Sequence, residues 1–214
     1  LSIIQVLEGA VFMKWLFNTE GIIYKIMTAV YQMIILNLLW CITSIPLVTV
    51  GASTTALYYV IGKIARKEEV HEIKDFYKSF RENFKQATCI WVILCAAYVM
   101  IYTNLSFLEN YGSIGGLMLA VQLPVLVQVV IISVFVFPLL SRYESSTIGI
   151  IKASWVLGIK HVFSCFGILA IIAAAALIAR TVPGLFLLVF ISLTAFAIYL
   201  VVGRVMEKYR PGAV

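Results

Sequence analysis

The chain is short of charge. Asp, Glu, Lys and Arg make up 12 per cent of its 214 residues, about half the share usual in a soluble domain. The charges that exist avoid the centres of the apolar runs: Lys25, Glu109, Glu144 and Arg180 all lie near run ends. An ionisable group at bilayer depth is costly and therefore marks function. Its lack argues against a proton relay built on a buried carboxylate, and against an intramembrane metalloprotease. His occurs twice. His71-Glu72 has no second His four residues on, and His161 lies far away in sequence, so an HExxH zinc helix is excluded. A P-loop and a Gly-x-Ser-x-Gly elbow are both missing. The run from Gly112 to Gly116 lacks the Lys and the strand that a nucleotide loop needs. Cys41, Cys89, Cys95 and Cys165 lie in or beside apolar runs and form no disulfide framework. Cys89 and Cys95 point roughly 120° apart on a helix, so they read as small hydrophobes and not as a metal pair. No catalytic, cofactor-binding or metal-binding residue is assigned, and the expectation is a protein that is not an enzyme and carries no cofactor.

Apolar residues are what the chain has in plenty. They make up 63 per cent of it, and the mean hydropathy is +1.04. A core of this size cannot hide so much apolar surface, so the solvent must be lipid. The fold class expected is all-α: a polytopic transmembrane helical bundle of about six spans. The net charge of +6 would point to nucleic acid in a soluble protein. Here it reflects Lys and Arg gathered on the cytoplasmic face, and no nucleic-acid partner is expected. Residues 1–12 lack the basic region and cleavage site of a signal peptide. Met13-Lys14 is a more natural start, so 1–12 reads as a non-native or extended N-terminus. Residues 13–210 form a single membrane domain, and 211–214 a short tail.

In chain order, Lys14 to Glu20 suits the membrane surface, with Asn18 or Thr19 able to cap the helix that follows. Gly21 to Ile45 is the first span. Pro46 and Gly51 bracket a break, with a helix end near Pro46 and a new start near Ser53, where Ser and Thr can cap. The next run reaches about Lys63 and is short for a span, so residues 48–64 either span or re-enter. Phe84 or Thr88 to Phe107 is the third span. Asn104 to Gly116 carries no Lys or Arg and reads as an outside loop. Leu117 to Leu140 is the fourth, with a kink at Pro124. Val162 to Ala179 is the fifth, Arg180 to Gly184 an outside turn, and Leu185 to Gly203 the sixth. With this layout fifteen of the sixteen Lys and Arg fall inside and only Arg180 outside. Both termini are then cytoplasmic.

Leu57 to Lys85 organises the chain. It holds seven of the sixteen Lys and Arg, with five acidic residues among them. Val70, Ile73, Phe76 or Tyr77, Phe80 and Phe84 recur at spacings of three and four, one apolar stripe on a helix. Such a helix either lies flat in the headgroup layer or packs on its own protein. About 75 residues later a second stretch echoes it. Ser79-Phe80 and Phe84-Lys85 match Ser154-Trp155 and Ile159-Lys160, and Ile148, Ile151, Trp155 and Ile159 form a second stripe. Both stretches read as cytoplasmic interfacial amphipathic helices within an internal repeat of descending, interfacial and rising helix. The exposed cations Lys74, Lys78, Arg81, Lys152 and Lys160 make a candidate partner-docking face. Polar residues inside spans normally make interhelical hydrogen bonds, each worth about 0.6 kcal/mol. Asn37, Gln122 and Gln128 could instead line a polar path.

The run Ile45-Pro46-Leu47-Val48-Thr49-Val50-Gly51-Ala52-Ser53-Thr54-Thr55, with Leu36-Asn37-Leu38-Leu39-Trp40 before it, resembles the YesL-like family of bacterial membrane proteins. So do Leu16-Phe17-Asn18, the run Lys78-Ser79-Phe80-Arg81-Glu82-Asn83-Phe84-Lys85, and Leu157-Gly158-Ile159-Lys160-His161. The resemblance covers about Met13 to Arg210. It implies a protein of the cytoplasmic membrane of Gram-positive bacteria, without established biochemical activity. It also implies an accessory or regulatory role in carbohydrate uptake, with subunits of a carbohydrate ABC importer as partners. It supplies no catalytic residues. The alternative is a small-molecule permease in its own right, with a midplane site formed by the repeat. Ligand, partner and oligomeric state are not legible in the residues.

Overall fold

The structure, a computed structural model, describes residues 21–107, 115–181 and 189–208. The expected N-terminal extension and surface segment (1–20), the caps Asn18 and Thr19, most of the outside loop, most of the expected outside turn Arg180 to Gly184, the first residues of the expected sixth span (185–188) and the tail lie outside the described residues. Among the described residues there are seven helices: α1 (Ile22–Thr43), α2 (Val50–Ala65), α3 (Glu72–Ser106), α4 (Gly115–Leu140), α5 (Thr147–Lys160), α6 (Val162–Thr181) and α7 (Ile191–Glu207). They pack as a helical bundle, as the composition predicts. Five segments are long and apolar enough to cross a membrane: α1, α3, α4, α6, and α2 with the short turn before it. The described part of α7 is 17 residues long.

The break after α1 falls where Pro46 places it. α1 ends at Thr43, a 3₁₀ turn covers Leu47–Thr49, and α2 begins at Val50. The restart lies three residues ahead of Ser53. Because the 3₁₀ turn feeds straight into α2, no side-chain cap is needed. Ser53 and Thr55 instead donate their hydroxyl hydrogens back to the Thr49 and Gly51 carbonyls, at 3.1 and 2.9 Å. Thr49 closes the turn by donating to the Pro46 carbonyl at 2.7 Å. Trp91 of α3 ties it down from outside, its indole N–H reaching the Leu47 carbonyl at 2.9 Å.

α2 is the interior helix. Over half of its apolar window (56 per cent) is buried inside the protein, against 11 per cent for α6. It lies antiparallel to the first half of α3, and this is the most extensive helix pair in the fold. Gly51 makes the approach possible: a Cβ there would stand 2.6 Å from the Ala87 carbonyl oxygen. α4 divides into two. Residues 116–130 are mostly exposed, whereas Ile131 to Leu140 is almost continuously buried. That buried half pairs with α5, and Gly158 lets the two meet, since any Cβ there would collide with Ile131.

Two helix boundaries agree with the repeat read from the sequence. α2 ends at Ala65 and α4 at Leu140, and α3 begins at Glu72 and α5 at Thr147. Each pair of boundaries is 75 residues apart. Ser79 and Ser154, matched at that interval, are both fully buried.

One feature differs from the sequence expectation. The first charged stretch is no separate interfacial helix. It is the opening half of the 35-residue α3, continuous with the span that follows. A helix that continues unbroken into a span does not turn to lie along the membrane plane. The second stretch is separate, because α5 stops at Lys160 and His161 leaves helical geometry at φ −124°, ψ 48°. Gln86-Ala87 occupies the matched position in α3, and these are good helix formers. His161-Val162 is a poorer pair.

Candidate functional site

Hydrogen bonds gather the charged turns at one end of the bundle. Gln86 of α3 donates its amide hydrogen to the Ser145 carbonyl, in the turn between α4 and α5, at 2.9 Å. Arg66, in the turn between α2 and α3, donates to the Tyr199 hydroxyl of α7 at 2.8 Å. The same guanidinium grips both carboxylate oxygens of Glu68, at 2.6 and 3.1 Å. This bidentate pair holds the Glu68 carboxyl below the usual carboxylate range and raises the guanidinium's own affinity for its proton. Lys63 bonds Asp75 at 2.6 Å, and the same Asp75 oxygen accepts the His71 backbone N–H at 3.0 Å. α2, the turn and the start of α3 are thereby one rigid unit. Lys67, at φ 58°, occupies the left-handed region between them.

All five proposed docking cations, Lys74, Lys78, Arg81, Lys152 and Lys160, are exposed, on the opening half of α3 and on α5. The apolar stripes beside them have different fates. In the first, Phe76 is fully buried and Phe80 partly so, with ring centroids 6.4 Å apart. Ile73, Tyr77 and Phe84 remain exposed, and Val70 is partly buried. This stripe packs on its own protein. In the second, Ile148, Trp155 and Ile159 are exposed while Ile150, Ser154 and Leu157 take the buried side. Phe163, just after the bend, is 93 per cent exposed.

The structure does not gather the three polar-path residues into one channel. The Asn37 side-chain oxygen accepts the Ser192 backbone N–H at 3.1 Å, and the Ser192 hydroxyl donates to the Met33 carbonyl at 2.8 Å. That amide is engaged in joining α1 to α7. Gln122 and Gln128 are both on α4; the Gln122 amide nitrogen is buried without a partner among the described residues, and Gln128 is exposed. No group of three metal-ligating side chains occurs among the described residues.

Two apolar cavities lie where α2 meets α6 and α7, a feature that sequence reasoning missed. One, of about 350 Å³, has Trp40, Thr54, Tyr58, Ala175 and Ala195 in its wall. The other, of about 290 Å³, adds Tyr98, Ser133 and Phe137. Thr54, Tyr58, Ile172 and Ile198 line both. Their walls come from six helices, α1, α2, α3, α4, α6 and α7, and nothing in local periodicity brings those together.

A helical bundle with membrane-length apolar helices and one charged end is the class these features define. A family model described as a protein of unknown function, DUF624, matches residues 33–105. That segment runs from within α1 through α2 to the end of α3, so it holds the interior helix and the first charged stretch. Neither the curated proteins nor the solved structures contain a match.

Proposed function

We propose that the protein is a multi-pass component of the bacterial cytoplasmic membrane with an accessory or regulatory role in carbohydrate uptake, and that it is not an enzyme. Both termini face the cytoplasm in this reading, as the distribution of Lys and Arg requires. The carbohydrate link rests on the YesL-like resemblance of the Pro46–Thr55 and Lys78–Lys85 runs. The observation that carries the docking role is the charged end itself. Lys74, Lys78 and Arg81 project from a hairpin fixed by the Lys63–Asp75 and Arg66–Glu68 pairs, and Lys152 and Lys160 stand on the helix joined to it through Gln86 and Ser145. Exposed cations on a rigid frame lose little entropy on binding, which suits an acidic partner surface. An importer subunit is the partner proposed.

The test is co-purification from native membranes. Wild-type protein should bring down importer subunits, and Lys78→Glu with Arg81→Glu should reduce their yield while membrane insertion stays intact. Exposed charge changes rarely alter folding by more than about 0.5 kcal/mol. Unchanged co-purification and unchanged sugar uptake in the double variant would remove the docking role. Sugar uptake by the protein reconstituted alone would replace it with the permease reading.

A further inference from the structure

We propose that two copies of this chain pair along the half of α4 that precedes Ile131, with the Gln128 side-chain amides hydrogen-bonded to each other across the contact. The pairing rests on the membrane placement given above and goes beyond the accessory role. Depth is the first argument. α4 has 26 residues, with no Asp, Glu, Lys or Arg among them. A helix crosses the hydrocarbon with about 20 residues. Every run of that length within Gly115–Leu140 contains Gln128, so the residue lies in hydrocarbon however the helix is seated. It stands twelve residues before Leu140 and thirteen after Gly115, roughly 18 Å of rise from the nearer end. A glutamine there cannot reach the headgroups as a long lysine near a helix end does.

The second argument is the lack of a partner within the chain. Asn37 accepts the Ser192 N–H at 3.1 Å. Ser133 and Tyr98 bond each other at 2.9 Å. Thr103 donates back to the Val99 carbonyl at 2.9 Å. Gln128 is exposed and has no hydrogen bond to any described residue. Its amide carries two donor hydrogens and a carbonyl acceptor. Lipid tails satisfy none of them, and leaving them bare in hydrocarbon is costly. Leu117, Val121 and Val125 precede Gln128 at spacings of four, four and three, on the same side of the helix, and all three are exposed. A helix laid along this side meets an apolar seam with one amide in it, the kind of polar contact that joins helices in membranes.

The chemistry of the amide selects the occupant. A carboxamide is its own complement, since each can donate to the carbonyl of the other. A two-fold axis along the membrane normal sets α4 of the two copies side by side at equal depth, so Gln128 meets Gln128. No charge on α4 opposes the approach. A helix of another protein would need a polar group of its own at that one depth.

The experiment uses the full chain with its four cysteines replaced by alanine. Val121→Cys, Val125→Cys or, on α6, the exposed Leu177→Cys is then added. Membranes are washed with alkaline carbonate and oxidised. Disulfide-linked dimers are expected from Val121→Cys and Val125→Cys and not from Leu177→Cys. Photobleaching step counts of a fluorescent-protein fusion in liposomes need no cysteine change and serve if the alanine background does not fold. By that count Gln128→Leu, which suits lipid, should lower the dimer fraction several-fold. Gln128→Asn keeps an amide and should restore part of it, and Gln122→Leu should leave it unchanged. Single steps alone for the wild type would overturn the proposal, as would links at Leu177→Cys only or an unchanged dimer fraction for Gln128→Leu. A link from Val125→Cys to a different protein would assign the seam to that protein and overturn the second copy. Labelling of Gln128→Cys by a membrane-impermeant thiol reagent would place the residue in water and overturn the contact. A chain stripped off by the carbonate wash would refute the membrane placement itself, whereas one that stays and counts as a monomer refutes the pairing alone.

Discussion

The two halves of the repeat start alike and end differently. In the first, a charged stretch and a span make one continuous helix, and the aromatic stripe of the charged part closes over α2. In the second, the same length of chain is broken at His161, and the stripe of α5 is left outside. The charged residues show why. α3 opens with seven charges between Glu72 and Lys85, so only a narrow apolar side is available, and α2 takes it. α5 has two Lys and apolar residues on several sides, so one side can pack on α4 while another stays exposed. A periodic stripe therefore states that a helix has an apolar side. It does not state what covers that side.

Phe76 and Trp155 put the contrast to its strongest test. Phe76→Ala empties a fully buried site and is expected to cost about 3–5 kcal/mol. Trp155→Ala, at an exposed site, is expected to change stability by no more than about 0.5 kcal/mol. Denaturant titration in mixed micelles reads both, and equal costs would mean that the second stripe is as well covered as the first.

Gly158→Leu tests the α4–α5 contact. The new side chain must displace Ile131, so a loss of about 1–3 kcal/mol is expected. Thermal stability followed by size-exclusion chromatography is the measure. An unchanged melting temperature would show that α5 can move away from α4 freely.

The bend itself is open to measurement. Spin labels at positions 77 and 102 should lie roughly 37 Å apart along an unbroken α3. Labels at 152 and 177, the matched pair, should lie closer together, because the helix axis changes direction at His161. Equal distances would remove the difference between the halves.

The smallest effect is expected from pH. Arg66 holds the Glu68 carboxyl below its ordinary value. A depressed carboxylate contributes stability above its unfolded value, about 4.3. That contribution is lost as pH falls through the lower folded value. Below about pH 4 the wild type should lose a little thermal stability that Glu68→Gln has already lost at neutral pH. Parallel profiles for the two proteins would show that the pair is not formed.

The sequence by itself determined the class of this protein. Low charge and high hydropathy give helices long and apolar enough to cross a membrane, and Pro46 ends α1 because it removes a donor and crowds the preceding turn. The 75-residue echo, resting on a few residues such as Ser79-Phe80 and Ser154-Trp155, agrees with the spacing of two helix boundaries, Ala65 with Leu140 and Glu72 with Thr147. The packing partners were decided by tertiary structure. Whether the Phe76 stripe met headgroups or α2 depended on Gly51, whose missing side chain lets the two helices close to contact. Asn37 was legible as a buried polar residue, but its partner Ser192 lies 155 residues away. The cavities around Tyr58 were invisible for the same reason: their walls belong to helices that meet only when the chain has folded. Periodicity records which side of a helix is apolar, while the identity of the neighbour is set by how whole helices fit together.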